Sequence, residues 1–85
     1  MKTYKQIVEY NQDISCVIIS SHDGHGGISC EISGVEYNDV WRLSINVNDK
    51  TTEVCRFNEP DEIVNGLPEI VETKDCCEYS FKCLT

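Results

Sequence analysis

Large apolar side chains at every second position constrain this chain more than any other feature. Trp41, Leu43, Ile45 and Val47 alternate with Arg42, Ser44 and Asn46. That is the period of a strand with one face buried and one face wet. Ile28, Cys30 and Ile32 alternate with Ser29, Glu31 and Ser33 in the same way, and Cys77, Tyr79, Phe81 and Cys83 alternate with Glu78, Ser80 and Lys82. Each such strand presents an apolar row that must be covered, so the chain is directed toward an antiparallel sheet with a layer over one face.

The remaining segments fill in that plan. Ile14 to Ser20 is short and β-branched, and reads as a strand buried in part on both faces. His22-Asp23-Gly24-His25-Gly26-Gly27 follows as a glycine-rich loop. Asn38-Asp39 and Asn48-Asp49-Lys50 are expected turns, and Thr51 to Phe57 a fourth strand with Cys55 and Phe57 inward. Tyr4, Ile7 and Val8 suit a short N-terminal helix ending near Asn11, with an edge strand as the alternative. Asn58-Glu59-Pro60-Asp61-Glu62 has the chemistry of a helix start, and Ile63, Val64, Leu67, Ile70 and Val71 keep helical spacing to about Glu72, interrupted by Gly66 and Pro68. The expected architecture is α+β: helix, four-stranded meander, helix, strand. It amounts to a small antiparallel sheet of about five strands, covered by one or two short helices in a single domain spanning residues 1–85.

Charge narrows the function classes. Fifteen acidic residues against seven basic ones give a formal net charge of −8. Direct nucleic-acid binding needs the opposite sign to displace counterions, and anionic membrane surfaces are disfavoured for the same reason. An acidic surface suits a basic protein partner or simple solubility. No run of apolar residues is long enough to span a bilayer, and the start Met1-Lys2-Thr3-Tyr4-Lys5 lacks the apolar core of a leader, so the expected location is cytoplasmic.

Six cysteines are many for 85 residues. Cys16, Cys30, Cys55, Cys77 and Cys83 fall where a small apolar side chain would face a core, the role of structural thiols. Disulfides and metal ligation are the alternatives, although no C-x-x-C spacing occurs. On a regular strand the vicinal pair Cys76-Cys77 would point to opposite faces, leaving Cys76 toward solvent as the most reactive thiol.

Two constellations could carry chemistry. His22, Asp23 and His25 cluster on the glycine-rich loop, and two imidazoles with a carboxylate can ligate zinc or iron or act as acid and base. The alternative is a polar loop whose composition serves its turn. Gly24, Gly26 and Gly27 do not make a phosphate loop, since they lead into a strand. Nothing in the sequence calls for a cofactor, and no local signature of a catalytic nucleophile is present, so a non-enzymatic role is expected. The second constellation is the acidic stretch Glu59, Asp61, Glu62, Glu69, Glu72, Asp75 and Glu78, broken by one lysine. On a continuous helix, Glu62, Asn65, Glu69 and Glu72 would share one face and form a partner-binding row.

Short length, strong acidity, a small sheet and the acidic residues Glu59-Pro60-Asp61-Glu62, Glu69, Glu72, Asp75 and Glu78 together resemble the small phage anti-defence inhibitors, anti-CRISPR proteins among them. The resemblance lies in architecture and charge. It implies stoichiometric inhibition of a larger basic, nucleic-acid-handling protein or nucleoprotein complex inside a bacterial host. Toxin-immunity proteins are similar in size and charge and stand as the alternative. An open sheet edge would also permit a homodimer.

Overall fold

The computed structural model describes residues 3–83; Met1 and Lys2 of the N-terminal segment lie outside them. A helix α1 (Tyr4–Tyr10) is followed by seven strands: β1 (Ile14–Ser21), β2 (Ile28–Ile32), β3 (Val35–Asn46), β4 (Thr51–Arg56), β5 (Glu62–Asn65), β6 (Pro68–Thr73) and β7 (Cys77–Cys83). Thr3 caps α1 through a reciprocal capping box with Gln6. At seven residues, α1 is too short to be stable alone. It is held by burial of Tyr4 and Ile7 and by the Tyr4 hydroxyl, which donates to the Pro68 carbonyl.

All strand pairs are antiparallel, in the order β5-β4-β3-β1-β7, with β2 between β3 and β6. Twelve-residue β3 is the spine. β1 pairs with its C-terminal half and β2 with its N-terminal half, so β1 and β2 run end to end with the His22–Gly27 loop between them. β6 and β7 run end to end in the same way along β2 and β1. The Gly66 N–H donates to the Lys50 carbonyl, Thr52 Oγ1 donates to the Gly66 carbonyl at 2.8 Å, and Ser33 Oγ donates to the Asn65 carbonyl at 3.3 Å. The β5–β6 connection therefore touches both ends of β3, which requires β3 to bend. The bend falls at Asp39, whose φ is +58°, with register shifts between Tyr37 and Val40 toward β2 and just beyond, between Val40 and Arg42, toward β4. Ile14, Val17, Ile19, Ile28, Ile32, Val40, Leu43, Ile45 and Val54 fill the interior of the curl.

Four sequence expectations are corrected. The α+β architecture of about five strands and one or two helices gives way to a β-rich fold of seven strands and one short helix. The expected helix beginning near Asn58 is two strands. Ile63, Val64, Ile70 and Val71 favour extended backbone, Asn58 sits at φ +60°, Gly66 at φ +139° breaks the run, and Pro68 opens β6, a position where a strand needs no donor. The expected turn at Asn38-Asp39 is the bend inside β3. The true hairpin turn is Ser33-Gly34, both at positive φ, the two-residue geometry that matches strand twist. The bend also changes parity: Val40 is fully buried while Trp41 is only half-buried. Phe57 is exposed rather than inward, with its ring 6.4 Å from that of Trp41 and 6.3 Å from that of His25.

Candidate functional site

The loss of the second helix disperses the acidic stretch. Glu59 and Asp61 lie on the exposed β4–β5 connection, and Glu62 opens β5 with its carboxylate 3.6 Å from Arg56. Glu69 is the extra residue of the β6 bulge, paired with Lys5 of α1 at 3.6 Å. Asp75 is in the β6–β7 turn, and Glu78 on β7 lies 3.6 Å from His22 Nδ1. The single helical row of Glu62, Asn65, Glu69 and Glu72 does not exist, and only Glu72 remains on an acidic face.

That face is built by β3, β2 and β6. A two-residue turn at Ser33-Gly34 places Ile32 opposite Val35 and therefore Glu31 opposite Glu36. On the other side of β2, Glu31 faces Ile70, and two residues along Ser29 faces Glu72. Side chains at alternate positions share a face. Glu36, Glu31 and Ile70 thus stand abreast, with Glu72 in the next rank. Directly opposed like charges cost a sheet roughly 0.2–1 kcal/mol. Among the described residues no cation forms a salt bridge with Glu31, Glu36 or Glu72. Ile70, on the edge strand β6 beside Glu31 and two residues from Glu72, is 52% exposed.

Two shallow clefts run along this face and share Ser29 and Glu72. One, of about 180 Å³, is lined by Cys30, Glu31, Glu36 and Ile70 as well. The other, of about 170 Å³, continues past Asp39 to Gly26, Gly27 and Lys74. Glu31 and Glu36 lie outside the acidic stretch that the sequence singles out. The signal for them is the Ser33-Gly34 dipeptide: centring the hairpin there sets 31 against 36 by counting.

The His22–His25 loop is organised differently from a ligand set. Asp23 Oδ1 accepts from Ser21 Oγ and from the His25 N–H at 3.1 Å, a local turn that holds the Asp23 carboxyl below the usual range. His22 turns toward Glu78, whereas His25 lies by the Phe57 ring. Among the described residues no group of three or more His, Cys, Asp or Glu side chains is placed to hold a metal ion.

All six thiols are free. Cys30, Cys55 and Cys77 are buried, as expected of structural thiols, but Cys16 is half-buried and Cys83 exposed. Burial pushes Cys30 and Cys55 up to about 11, with nearby Asp61 adding to the rise at Cys55. Cys76 is not on a strand. It ends the Asp75-Cys76 turn, and both vicinal sulfurs lie against Gly27: a methyl group built on Gly27 would be 2.9 Å from Cys77 Sγ and 3.2 Å from Cys76 Sγ.

The fold and face together define a small β-rich domain with an acidic outer surface. No protein-family model, curated protein or solved structure matches the chain. No helix among the described residues is long and apolar enough to cross a membrane.

Proposed function

We propose that this chain is a non-enzymatic binding protein that inhibits a larger basic, nucleic-acid-handling protein by stoichiometric contact through the β3–β2–β6 face. The observation that carries the reading is the opposition of Glu31 and Glu36 near Glu72, with no salt-bridged cation among the described residues and an exposed Ile70 on the adjoining edge strand. A basic partner supplies the missing cations, and Ile70 supplies apolar contact at the strand edge beside them. The net charge of −8 adds long-range attraction toward such a partner, which salt screens over about 10 Å at 0.1 M. A surface that normally holds a phosphate backbone has the complementary sign and would be occupied by this row of carboxylates.

The test uses the tagged full chain as bait in its native cells, with co-eluting proteins identified and quantified at low and moderate salt. One basic partner at fixed stoichiometry, weakened as salt rises, is expected. Glu36→Lys with Glu72→Lys removes it, whereas Glu59→Lys on the β4–β5 connection leaves it in place. Equal capture by the double variant at matched salt refutes the face, and the absence of any basic partner refutes the function.

A further inference from the structure

We propose that Cys76 and Cys77 form a thiol–disulfide exchange site, which closes to a bond between the two neighbours on meeting a small soluble disulfide such as oxidised glutathione. The first ground is convergence. Regular strand geometry would separate the two side chains, but Cys76 belongs to a turn and Cys77 opens β7. Both sulfurs are within about a bond-and-contact length of one point above Gly27, so each lies within the sum of those two short distances of the other. The absence of a side chain on Gly27 makes room for both.

The second ground is asymmetry of access. Cys76 is half-buried and faces the Ser21 hydroxyl, whose Oγ lies 3.9 Å from its sulfur. An incoming disulfide can reach it. Cys77 is 2% exposed, and its thiol donates to the Gly27 carbonyl at 3.5 Å. Burial pushes the Cys77 thiol up, and the neighbouring Cys76 side chain adds to this, so Cys77 is the poorer first attacker. A partly accessible attacking thiol backed by a protected resolving thiol is an arrangement that suits exchange.

Atoms and electrons balance in two exchanges. Cys76, as its thiolate, attacks one sulfur of oxidised glutathione, breaks that S–S bond and releases one glutathione thiolate, which takes up a proton. Cys77 then loses its proton to solvent and attacks the Cys76 sulfur of the mixed disulfide, releasing the second glutathione. The protein gives up two protons and two electrons, and one oxidised glutathione becomes two reduced ones. Adjacent α-carbons are about 3.8 Å apart, closer than the roughly 4.4–6.8 Å of ordinary disulfides. The product is therefore strained and readily reduced, which suits a reversible site rather than a structural crosslink. Its backbone is also anchored: the His22 N–H donates to the Cys76 carbonyl at 2.6 Å and the Cys77 N–H to the Lys74 carbonyl at 3.1 Å.

The experiment treats the reduced full chain with oxidised glutathione, quenches with acid, alkylates, and reads intact mass and a peptide map. It is run on the wild type and in a Cys16→Ser/Cys83→Ser background, which removes the other accessible thiols. The expected product lacks two hydrogens, mapped to the peptide containing Cys76 and Cys77, retains no glutathione there and reverts under excess reduced glutathione. Adding Cys77→Ser converts it to a stable glutathione adduct on Cys76. A persistent adduct on Cys76 with Cys77 intact overturns the proposal, as does no reaction at either thiol. Should the background variant fail to fold, the wild-type peptide map separates the same products.

Discussion

Replacing Gly27 with alanine tests how tightly the two loops meet. The backbone of Gly27 is fixed on both sides: its N–H donates to the Val40 carbonyl at 3.1 Å, and its carbonyl accepts from the Lys74 N–H at 3.0 Å. Its φ lies outside the left-handed region, so alanine meets no backbone objection, and the whole cost is steric. The new methyl would be 2.9 Å from Cys77 Sγ and 3.2 Å from Cys76 Sγ, well inside the roughly 3.5–4.0 Å of favourable contact. Overpacking of this kind costs about 1–3 kcal/mol. Lower entropy of the unfolded chain offsets about 0.4–1 kcal/mol of it. The net loss is about 1–2 kcal/mol, and each kcal/mol lowers Tm by about 4–8 °C in a domain of this size. The assay is urea unfolding followed through Trp41, the only tryptophan. In a Cys77→Ala background the nearer sulfur is gone and the half-exposed Cys76 side chain can rotate away. There the same substitution should cost at most about 0.5 kcal/mol, leaving a clear coupling energy in the double-mutant cycle. A Gly27→Ala variant as stable as wild type, with an additive cycle, refutes the convergence of the sulfurs and removes the geometric ground of the exchange site.

Other outcomes follow from single contacts. Thr52→Val keeps the shape of a fully buried residue but leaves the Gly66 carbonyl without its donor; it should cost about 1 kcal/mol in urea unfolding, and an unchanged midpoint would refute the role given to this closure. Burial, aided by the Glu69 carboxylate, pushes the Tyr4 phenol up to about 12, so the folded state keeps a proton that the unfolded chain loses near pH 10. Stability should be steady below pH 10 on this account and fall between about pH 10 and 12; Tyr4→Phe should remove its part of that fall, and identical alkaline profiles would contradict the burial. Glu36→Lys replaces a like-charge pair by an attractive one across from Glu31, and should stabilise the free domain by roughly 0.2–1 kcal/mol. Lower stability in thermal unfolding at low salt would show that the two carboxylates do not repel.

The buried faces of β2 and of the second half of β3 are legible in the sequence because their alternation is a direct print of the pleat, whereas in β7 Phe81 and Cys83 of the expected buried row are exposed. Ile14, Ile28, Leu43 and Ile45 are all fully buried. The helix expected after Asn58 fails because Ile63, Val64, Ile70 and Val71 satisfy helical spacing and strand propensity equally, and edge position settles the matter. The Asn65-Gly66-Leu67-Pro68 interruption is the better guide, since it separates two strands. A break at Asn38-Asp39 is legible, but that it is a bend within one strand rather than a turn between two is not, because the continuation of β3 depends on pairings with β2 and β4 that are distant in sequence. The candidate face is hidden for the same reason: Glu31 and Glu36 are neighbours only through the turn at Ser33-Gly34, not the one expected at Asn38-Asp39, and Glu72 joins them only once residues 68–73 become β6. The vicinal thiols separate if Cys76 is read as strand, and converge because it is turn.

Two places in this fold run against what folding alone would select. One is the opposition of Glu31 and Glu36, where alternating sign would stabilise the sheet. The other is the pair of thiols crowded against Gly27, where even a methyl group would press on both sulfurs. Natural sequences depart from local consistency mainly where a function repays the cost. The two places are not independent in space. The cleft that begins among Glu72 and Ser29 ends at Gly26, Gly27 and Lys74. Gly27 is also where Cys76 and Cys77 meet, and its carbonyl accepts from the Cys77 thiol and the Lys74 amide. Closing the thiols to a disulfide removes the first of these hydrogen bonds and leaves the second, so the two departures from local consistency border one cleft through Gly27.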